Sequence, residues 1–420
     1  MCKPHHHGGN GPEVNYMQQS SQVKPLQVAP QQQLSAWLSA ATQQGLPLAV
    51  WRQPQDDTQH VVVSFEPNLT PVQPDLEEMG AGFLVHPFTT QEAGSGYFLP
   101  ADLYWNTQQE SPEWKPGTDS SVMEALAQLA KQAATQSAPV YHWAENPTAP
   151  TDQSEEVHFT DLVRKSVAAI EQEHFQKVVP SRTKRVTLPE DFQLLETFQR
   201  LCDTYPNAFV SLISVPGLGT WLGATPEVLL TVKDQRHFRT VALAGTQRWG
   251  HDQDIADAAW RQKEIEEQAM VSRYIINCFK KIRLREFEEI GPRTSRAGEM
   301  IHLKTDFKVD LDATNFPQLG TVMLRLLHPT SAVCGMPKEP AENFLIEHEG
   351  YARELYAGYL GPVNLQSFTS LYVNLRCMQW LGSEALLYAG AGVTADSKPE
   401  REWDETELKC NTMLSVISRQ

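Results

Sequence analysis

Two pairs of glutamates in this 420-residue chain repeat one spacing. Glu264 and Glu267 lie in QKEIEE, whereas Glu402 and Glu405 lie in EREWDETELK, which ends at Lys409. Residues three apart share one face of a helix, so each pair is predicted to present two carboxylates side by side. A solvated helix face with an ion pair from Glu405 to Lys409 is the simpler interpretation of one pair alone. If the two faces oppose each other, the four carboxylates form a hard-oxygen site suited to Mg²⁺.

An iron site is the alternative, because the spacing Glu-x-x-His also occurs twice, at Glu171–His174 and Glu299–His302. Two glutamate helices combined with two such motifs are the pattern of di-iron bundles. However, His174 falls at the end of a predicted helix and His302 falls in a strand-like segment. We therefore interpret both histidine spacings as chance and favour magnesium over iron.

Two further residues are candidates for proton transfer. Lys177 begins the strand-like KVVPSR directly after a predicted helix, and Glu227 lies in WLGATPEVLL between two apolar runs. A lysine in water is the ordinary interpretation of Lys177 taken alone. Burial raises the pKa of a carboxyl group and lowers that of a lysine in a dry, basic pocket. Such a pair can supply a neutral amine as base and a carboxylic acid as proton donor at neutral pH.

Small-residue turns are predicted at the ends of two strands. Gly245 and Thr246 lie in ALAGTQ, and Gly390, Ala391 and Gly392 lie in YAGAGV. Turns of this kind can offer backbone N–H groups to a carboxylate. Neither turn matches a phosphate-binding loop.

Two more side chains could contact an anionic ligand. Arg376 lies within the alternating segment LYVNLRCMQW, so a predicted strand could project it as a bidentate clamp for a carboxylate. His328 directly precedes a proline turn in LLHPTSAVCGMPK.

Composition and charge exclude several classes of protein. A formal net charge of −16 argues against binding to nucleic acid or anionic membranes, because phosphate contacts need clustered lysine and arginine. No apolar run approaches the ~20 residues of a membrane span. The six cysteines are scattered without a Cys-x-x-Cys pair, which is typical of reduced thiols. We therefore expect a cytoplasmic protein, and we expect a monomer, with a dimer left open.

The composition and apolar pattern of the chain predict three regions. Residues 1–30 are polar and glutamine-rich and are predicted to form a disordered leader. Residues 31–150 are predicted to be an N-terminal, strand-rich subdomain with one helix at Ser121–Gln136, and a seam is expected at residues 147–154. Residues 151–420 are predicted to form the catalytic region of the same fold.

The catalytic region alternates short apolar runs with helical segments. Adjacent apolar runs joined by tight turns predict mostly antiparallel sheets with helices packed outside, an α+β fold. The predicted helices are one capped by Thr160, Leu188–Thr204, Asp252–Ile282 and one from about Glu400. The predicted strands are Lys177–Val186, Phe209–Val215, Gly219–Gly223, Val228–Val232, Phe238–Ala244, Thr369–Trp380 and Ala385–Ala389.

Together and in this order, these segments resemble the chorismate-utilising enzymes, most closely their isochorismate synthases. The similarity runs from about Glu155 to Ser418. The motifs that carry it are KVVPSR, GATPEVLL, ALAGT, QKEIEE, LLHPTSAVCGMPK, RELYAGYLG, VNLRC, YAGAGV and EWDETELK.

The resemblance implies the Mg²⁺-dependent isomerisation of chorismate to isochorismate, in which water adds at C2 while the C4 hydroxyl departs. It implies that Lys177 activates the water and that Glu227 protonates the leaving hydroxyl. It further implies that Glu267 and Glu405 are direct Mg²⁺ ligands and that Glu264 and Glu402 hold the waters around the metal. The implied substrate contacts are Arg376, Lys409, Gly390, Ala391 and Gly392 for the carboxylates, and Gly245, Thr246 and His328 for the ring.

Within this family, the resemblance also bears on the nucleophile. Anthranilate synthases, which use ammonia, lack a lysine at the position of Lys177, and aminodeoxychorismate synthases carry a lysine at the position of Ala244. Water is therefore the predicted nucleophile. Salicylate synthases share both features but typically lack the histidine at the position of His328, so isochorismate is the expected end product. Menaquinone and catechol siderophore biosynthesis both remain open as its destination.

One position departs from the family pattern. The family usually has Glu-His where this chain has Glu267–Gln268, and an amide can donate a hydrogen bond but carries no charge. A different class of protein also has to be considered, namely a metal-dependent binding module that has lost turnover. The presence of Lys177 and Glu227 argues against that class.

Overall fold

The computed structural model describes residues 18–19, 26, 28–89, 95–136, 141–142, 155–250, 254–297 and 300–418. Most of the predicted leader and the whole predicted seam at 147–154 lie outside these residues. Of the leader, Gln18–Gln19 forms a two-residue strand that pairs with Glu113–Trp114. The division of the chain near residue 150 stays a prediction.

The described residues form strands and helices that alternate along the chain. The strands are β1 (Gln18–Gln19), β2 (Leu48–Arg52), β3 (Gln59–Val63), β4 (Pro71–Val72), β5 (Gly82–His86), β6 (Gly96–Pro100), β7 (Leu103–Asn106), β8 (Glu113–Trp114), β9 (Lys177–Val178), β10 (Ser181–Thr187), β11 (Phe209–Val215), β12 (Gly219–Thr225), β13 (Val228–Lys233), β14 (His237–Arg248), β15 (Glu288–Ala297), β16 (Met300–Asp310), β17 (Gly335–Met336), β18 (Tyr359–Val363), β19 (Phe368–Val373), β20 (Cys377–Trp380) and β21 (Glu384–Gly390). The helices are α1 (Pro30–Gln43), α2 (Ser120–Gln136), α3 (Glu155–Glu171), α4 (Leu194–Thr204), α5 (Gln262–Lys281), α6 (Leu311–Thr314), α7 (Leu319–Leu327), α8 (Lys338–His348) and α9 (Pro399–Ile417).

Two large antiparallel sheets make up the architecture. The first has the strand order β1-β8-β7-β3-β2-β11-β12-β20-β21-β10, and the second has the order β15-β16-β14-β13-β19-β18-β5-β6-β4. A third, small sheet pairs β17 with β9. Strands from both sides of residue 150 lie next to each other, for example β2 beside β11 and β5 beside β18. The predicted α+β fold with mostly antiparallel sheets is confirmed.

The hydrophobic core has two layers, one on each face of the first sheet. Successive side chains of a strand point to opposite faces, so a strand between two layers is apolar on both. In β11, Phe209 and Ile213 join the cluster shared with the second sheet, whereas Val210 and Leu212 join the cluster under the outer helices. This explains why every residue of β11 is buried.

Two helices carry the glutamate pairs and lie against different sheets. Helix α5 packs on β14 of the second sheet, and α9 packs on α3 and on β21 of the first sheet. Each helix thus has one face held by a strand whose end carries a predicted anion-binding turn. None of the described helices is long and apolar enough to cross a membrane.

Several predicted element boundaries are corrected by the structure. Helix α3 begins at Glu155, and Thr160 lies inside it with its hydroxyl donating to the Glu156 carbonyl oxygen, so Thr160 is not a cap. The strand expected over Lys177–Val186 is interrupted at Val179–Pro180, because proline has no N–H for a strand ladder.

The other boundary corrections concern two helices. Helix α4 begins only at Leu194, after the proline at position 189. Helix α5 begins at Gln262 rather than at Asp252, and only a short 3₁₀ turn, Ile255–Asp257, precedes it among the described residues. Helix α5 starts there because the Glu264 carboxylate accepts a hydrogen bond from the Arg261 N–H at 2.8 Å.

Candidate active site

Lys177 occupies the first position of β9, where it pairs with Met336 of β17. The strand is short because Val178 also exchanges hydrogen bonds with Val393, at 3.1 and 2.8 Å. Gly392 precedes Val393, and a Cβ added to it would lie 3.2 Å from Cε and 3.6 Å from Nζ of Lys177. A larger residue at position 392 would therefore displace the lysine side chain.

The charges around Lys177 come from three distant segments of the chain. Burial of the amine lowers its pKa, and the charge of Lys409 lowers it further. Glu267, Glu227 and Glu405 act in the opposite direction. The net result is a lowered pKa, so a larger fraction of this amine is neutral than in water. The structure thus brings together five of the residues that the sequence analysis selected.

Glu227 lies in the short link between β12 and β13. Its carbonyl oxygen accepts a hydrogen bond from the Val373 N–H at 3.0 Å, which fixes the link on β19. Burial raises the pKa of its carboxyl group to about 7, although a hydrogen bond from Thr330 and the charges of Lys177 and Lys409 oppose that rise. The Thr330 hydroxyl donates to Oε1 at 3.4 Å. Near neutral pH the carboxyl group can therefore hold a proton.

The two glutamate helices contribute carboxylates in different states. On α9, burial acts to raise the pKa of Glu405, but the charges of Lys409, Lys263 and Arg376 and the hydrogen bond from Lys409 together lower it. The ion pair between Glu405 and Lys409 measures 2.7 Å. Glu402 is only 7% exposed, and burial together with repulsion from Glu405 raises its pKa. On α5, Glu264 caps the helix start and Glu267 acts on the Lys177 amine.

These carboxylates were tested for their fit to a divalent cation. Within the described residues, no three histidine, cysteine, aspartate or glutamate side chains converge as a ready-made metal site. The donor chemistry nevertheless fits magnesium, because all four groups supply hard oxygen atoms. Glu402 and Glu405 repel each other in a buried setting, and a cation would relieve that repulsion. Lys263 of α5 supplies part of this positive charge in the structure, since it lowers the pKa of both carboxyl groups.

The predicted turn at residues 390–392 is only partly free to bind an anion. Ala391 donates its N–H to the Pro180 carbonyl oxygen at 3.0 Å, and the Gly390 carbonyl oxygen accepts from Lys409 Nζ at 2.6 Å. Among the residues that the structure describes, the Gly392 N–H has no hydrogen-bond acceptor. Gly392 is therefore the candidate amide donor in this turn, and the Ala391 amide is not.

Arg376 does not lie in a strand, contrary to the prediction. The expected strand Thr369–Trp380 is divided into β19 and β20, and Arg376 lies between them with a left-handed backbone, φ +50°. Its Nη1 donates to Thr412 Oγ1 of α9 at 3.2 Å. Burial lowers the pKa of the guanidinium, which Glu405 opposes. Arg376 therefore lies near the carboxylate helix and is positioned by a backbone break, not by strand alternation.

The three residues predicted to contact the substrate ring have different surroundings. Gly245 lies at a bulge of β14 with φ +64°, and a Cβ there would lie 3.0 Å from the Cβ of Glu264. The next residue, Thr246, pairs through its backbone with His302. The His328 ring lies 4.8 Å from each of the rings of His86 and Tyr359, and its buried Nε2 has no hydrogen-bond partner among the described residues. Their roles toward a ring stay predictions.

Gln268, the departure from the family pattern, is almost fully buried. Its Nε2 donates to the Ala242 carbonyl oxygen at 3.2 Å and to Thr305 Oγ1 at 2.9 Å. These bonds attach α5 to β14 and β16, directly beside Glu267. Its Oε1 has no partner among the described residues.

Sequence reasoning missed two features of this site. Thr330, whose hydroxyl contacts Glu227, lies in the motif that was selected for His328 alone. Lys263 directly precedes Glu264 and was not selected as a site residue. The only signal for Thr330 in the sequence was the proline before it in HPT. A residue that directly follows such a proline turn has a constrained position.

Comparisons with known proteins identify the family of this chain. The model of a family described as chorismate binding enzyme matches residues 55–418. The isochorismate synthase EntC of Escherichia coli (strain K12) is 28% identical over 268 residues, which cover 63% of this chain and 68% of EntC.

Two solved structures share the fold. The structure of MenF, the menaquinone-specific isochorismate synthase from Escherichia coli, is similar with a TM-score of 0.71 at 23% identity, over 91% of both chains. Anthranilate synthase component I from Streptococcus pneumoniae TIGR4 is similar with a TM-score of 0.65 at 18% identity, over 87% of this chain and 92% of the other. Since an isochorismate synthase and an anthranilate synthase share this fold, the fold alone does not select a reaction. Because the family model spans most of the chain, the protein belongs to the chorismate binding enzyme family.

Proposed function

We propose that this protein is an isochorismate synthase, which converts chorismate to isochorismate by adding water at C2 and expelling the C4 hydroxyl. The observation that carries the proposal is the pairing of Lys177 with Glu227. Burial lowers the pKa of the amine and raises that of the carboxyl group to about 7. Both shifts favour the forms that the reaction needs, a neutral amine as base and a protonated carboxyl group as acid.

The atoms balance in a single displacement. The neutral Lys177 amine takes one proton from water while the water oxygen forms a bond to C2. Both ring double bonds shift, from C1=C2 and C5=C6 to C1=C6 and C4=C5, as the C4–O bond breaks. Glu227 gives its proton to the departing hydroxyl, which leaves as water. The amine ends protonated and the carboxyl group ends ionised, so a proton passed from one to the other through solvent restores both.

Binding the substrate requires local positive charge, because chorismate is a dianion and the chain has a net charge of −16. Lys409, Arg376 and the Gly392 amide are the proposed donors to its carboxylates. Lys409 is anchored by Gly390 and Glu405, which hold its ammonium at the end of β21. Arg376 is held on α9 by Thr412.

Glu267 and Glu405 are the proposed direct ligands of Mg²⁺, with Glu264 and Glu402 beside them. When bound there, magnesium would supply Lewis-acid polarisation and a template for an anionic ligand. The chain's own contribution is to bring two pairs of hard oxygen donors from α5 and α9 to the neighbourhood of Lys177.

Water is the proposed nucleophile because Lys177 is present and residue 244 is a small alanine. Ala244 lies in β14, where it pairs with Leu303, and it adds no charge beside the site. Salicylate formation, an ammonia-dependent reaction and a non-catalytic metal-binding module are the alternatives. The proposed setting is a cytoplasmic monomer that acts on free chorismate.

Product analysis in H₂¹⁸O tests this proposal. With chorismate, Mg²⁺ and no ammonia, early product should be isochorismate carrying one heavy oxygen on the ring. Early sampling matters because repeated passage would label both ring hydroxyl positions. Unlabelled early product would exclude attack by solvent. A dominant amino product in a parallel tube with ammonium, or salicylate with pyruvate, would assign the chain to another branch, and no turnover would favour the binding module.

A further inference from the structure

A buried ion pair between Glu349 and Arg353 takes no part in the proposed chemistry. Both side chains are 3% exposed. The two residues are four positions apart in the segment that follows α8. Arg353 Nε donates to Glu349 Oε2 at 2.7 Å, and Nη2 donates to Oε1. The guanidinium also lies over the Phe88 ring, 4.2 Å from its centroid. The pair is therefore largely shielded from water.

The remaining donors of Arg353 connect two separate segments of the chain. Its Nη2 donates to the Val179 carbonyl oxygen at 2.7 Å, and its Nη1 donates to the Val333 carbonyl oxygen at 2.8 Å. Val179 follows the base Lys177 by two residues. Val333 follows Thr330, the residue in contact with Glu227, by three residues. One guanidinium therefore binds the segment of the base and the turn that supports the acid.

The carboxylate of Glu349 binds a third segment of the proposed site. Its Oε1 accepts the Ser181 N–H at 2.7 Å and the Ser181 hydroxyl at 2.9 Å. Ser181 pairs with Gly390, whose carbonyl oxygen receives Lys409. The same carboxylate thus fixes the segment after Lys177 against the turn that anchors Lys409.

The position of this pair argues for more than stability. Removing two charges from water is costly, and well-packed apolar residues often stabilise a core as well as a buried ion pair does. Apolar residues cannot donate to two carbonyl oxygens in a fixed geometry, as the planar guanidinium fork of Arg353 does. Nor can they accept the Ser181 N–H, as the Glu349 carboxylate does. Three hydrogen bonds leave the pair, from Arg353 to the Val179 and Val333 carbonyl oxygens and from the Ser181 N–H to Glu349. Each of these partners lies in a segment of the proposed site.

We propose that Glu349 and Arg353 are positioning residues that set the geometry of Lys177 relative to Glu227. This inference rests on the proposed function, because it assigns the pair to the base and acid of that reaction. It requires that loosening the pair slow the chemical step more than it weakens the binding of chorismate or magnesium.

Arg353→Lys is the first test, because lysine keeps the charge but lacks the fork that reaches both carbonyl oxygens. We expect kcat per folded molecule to fall by about 10- to 100-fold, since a misplacement of about 1 Å in reacting groups can cost about 10²-fold. The KM for chorismate and the calorimetric Kd for Mg²⁺ should stay close to those of the wild type. The folded fraction is measured by circular dichroism, and turnover is expressed per folded molecule.

Arg52→Lys is the matched control. Arg52 is also buried, 2% exposed, and donates to the carbonyl oxygens of Pro206 and Tyr205 at 2.7 Å each. None of its partners lies in a segment that carries Lys177 or Glu227. Arg52→Lys should lower the unfolding temperature and leave kcat per folded molecule unchanged.

Two further variants keep the test decisive if Arg353→Lys does not fold. Ser181→Ala leaves the ion pair and the Ser181 N–H bond intact and removes the hydroxyl's bonds to Glu349 and Tyr351. It should lower kcat by about 3- to 10-fold, the effect of a weakened positioning contact. Ser181→Ala combined with Lys177→Ala should lose little beyond Lys177→Ala alone, because residues that act as a unit are not additive.

The outcomes separate the two proposals. A wild-type protein that does not turn over chorismate removes the proposed function, and the positioning role is lost with it. An active wild type with unchanged kcat in Arg353→Lys, or in Ser181→Ala where Arg353→Lys is unfolded, overturns the positioning role alone. Full additivity with Lys177→Ala, or an equal loss of kcat in Arg52→Lys, also overturns it.

Discussion

Activity should fall at alkaline pH as Glu227 loses its proton, and the Thr330 hydroxyl should influence the pH of this alkaline limb. This hydroxyl donates a hydrogen bond to the Glu227 carboxyl group, and that bond lowers the carboxyl pKa because it favours the ionised form. Thr330→Val removes the donor and keeps a similar shape. Without the bond, Glu227 should retain its proton to a higher pH than the value of about 7 that it has in the native protein.

The size of the shift follows from the bond length. A good hydrogen bond to a charged group contributes roughly 1.5–3 kcal/mol, but 3.4 Å is beyond the usual range, so about 0.7 kcal/mol is reasonable here. At about 1.4 kcal/mol per pKa unit, the alkaline limb should move up by about half a unit. The protonated fraction would then rise roughly 2.5-fold at about pH 8 and change little at about pH 6.

The assay is kcat/KM for chorismate as a function of pH at saturating Mg²⁺, since this ratio reports the ionisation of the free enzyme. Thr330→Ser retains the hydroxyl and should keep the native limb. Glu227→Gln should abolish the limb together with most of the activity. A limb that stays in place in Thr330→Val, or moves to lower pH, would refute this account of Glu227. A limb that persists in Glu227→Gln would show that another group titrates there.

Two other substitutions address the base and the metal ligands. Lys177→Ala should lower kcat by about 10²–10⁴-fold, the usual contribution of a general base, while calorimetry still detects chorismate binding; more than about a tenth of the native kcat would remove Lys177 from the mechanism. Glu267→Gln or Glu405→Gln should weaken Mg²⁺ binding severely, whereas Glu264→Gln or Glu402→Gln should weaken it by roughly 10–100-fold, because the latter pair only orients what the metal holds. Equal effects at all four positions in Mg²⁺ titrations would contradict the assignment of direct ligands.

Local periodicity made the carboxylate helices and the sheet type predictable. Two residues three apart share a helix face whatever surrounds the helix, so the pair Glu402 and Glu405 could be assigned to one side of α9 before any packing was known. The apolar run of β11, together with its short turn to β12, predicted antiparallel pairing in the same way.

Features that depend on a backbone break were not predictable from periodicity. Arg376 sits in an alternating segment that reads as one strand, yet its left-handed backbone divides that strand and turns the side chain toward α9. Propensity rules describe the average behaviour of a segment, and a single strained residue held by tertiary contacts overrides them. The early start expected for α5 failed for a related reason, because a side-chain cap from Glu264 decides where that helix begins.

What the sequence by itself determined was the inventory of the site: hard-oxygen donors on two helices, a lysine opening a strand and a glutamate between apolar strands. Only the tertiary structure decided that Glu227 and Glu405 act on Lys177, and that Glu227 is buried enough to carry a pKa of about 7. The physical reason is that spacing within one element follows from its own repeat, whereas distance and burial between elements follow from how the sheets and helices pack. The same packing brought Arg353 within hydrogen-bond reach of Val179 and Val333, a contact between segments that no local pattern records.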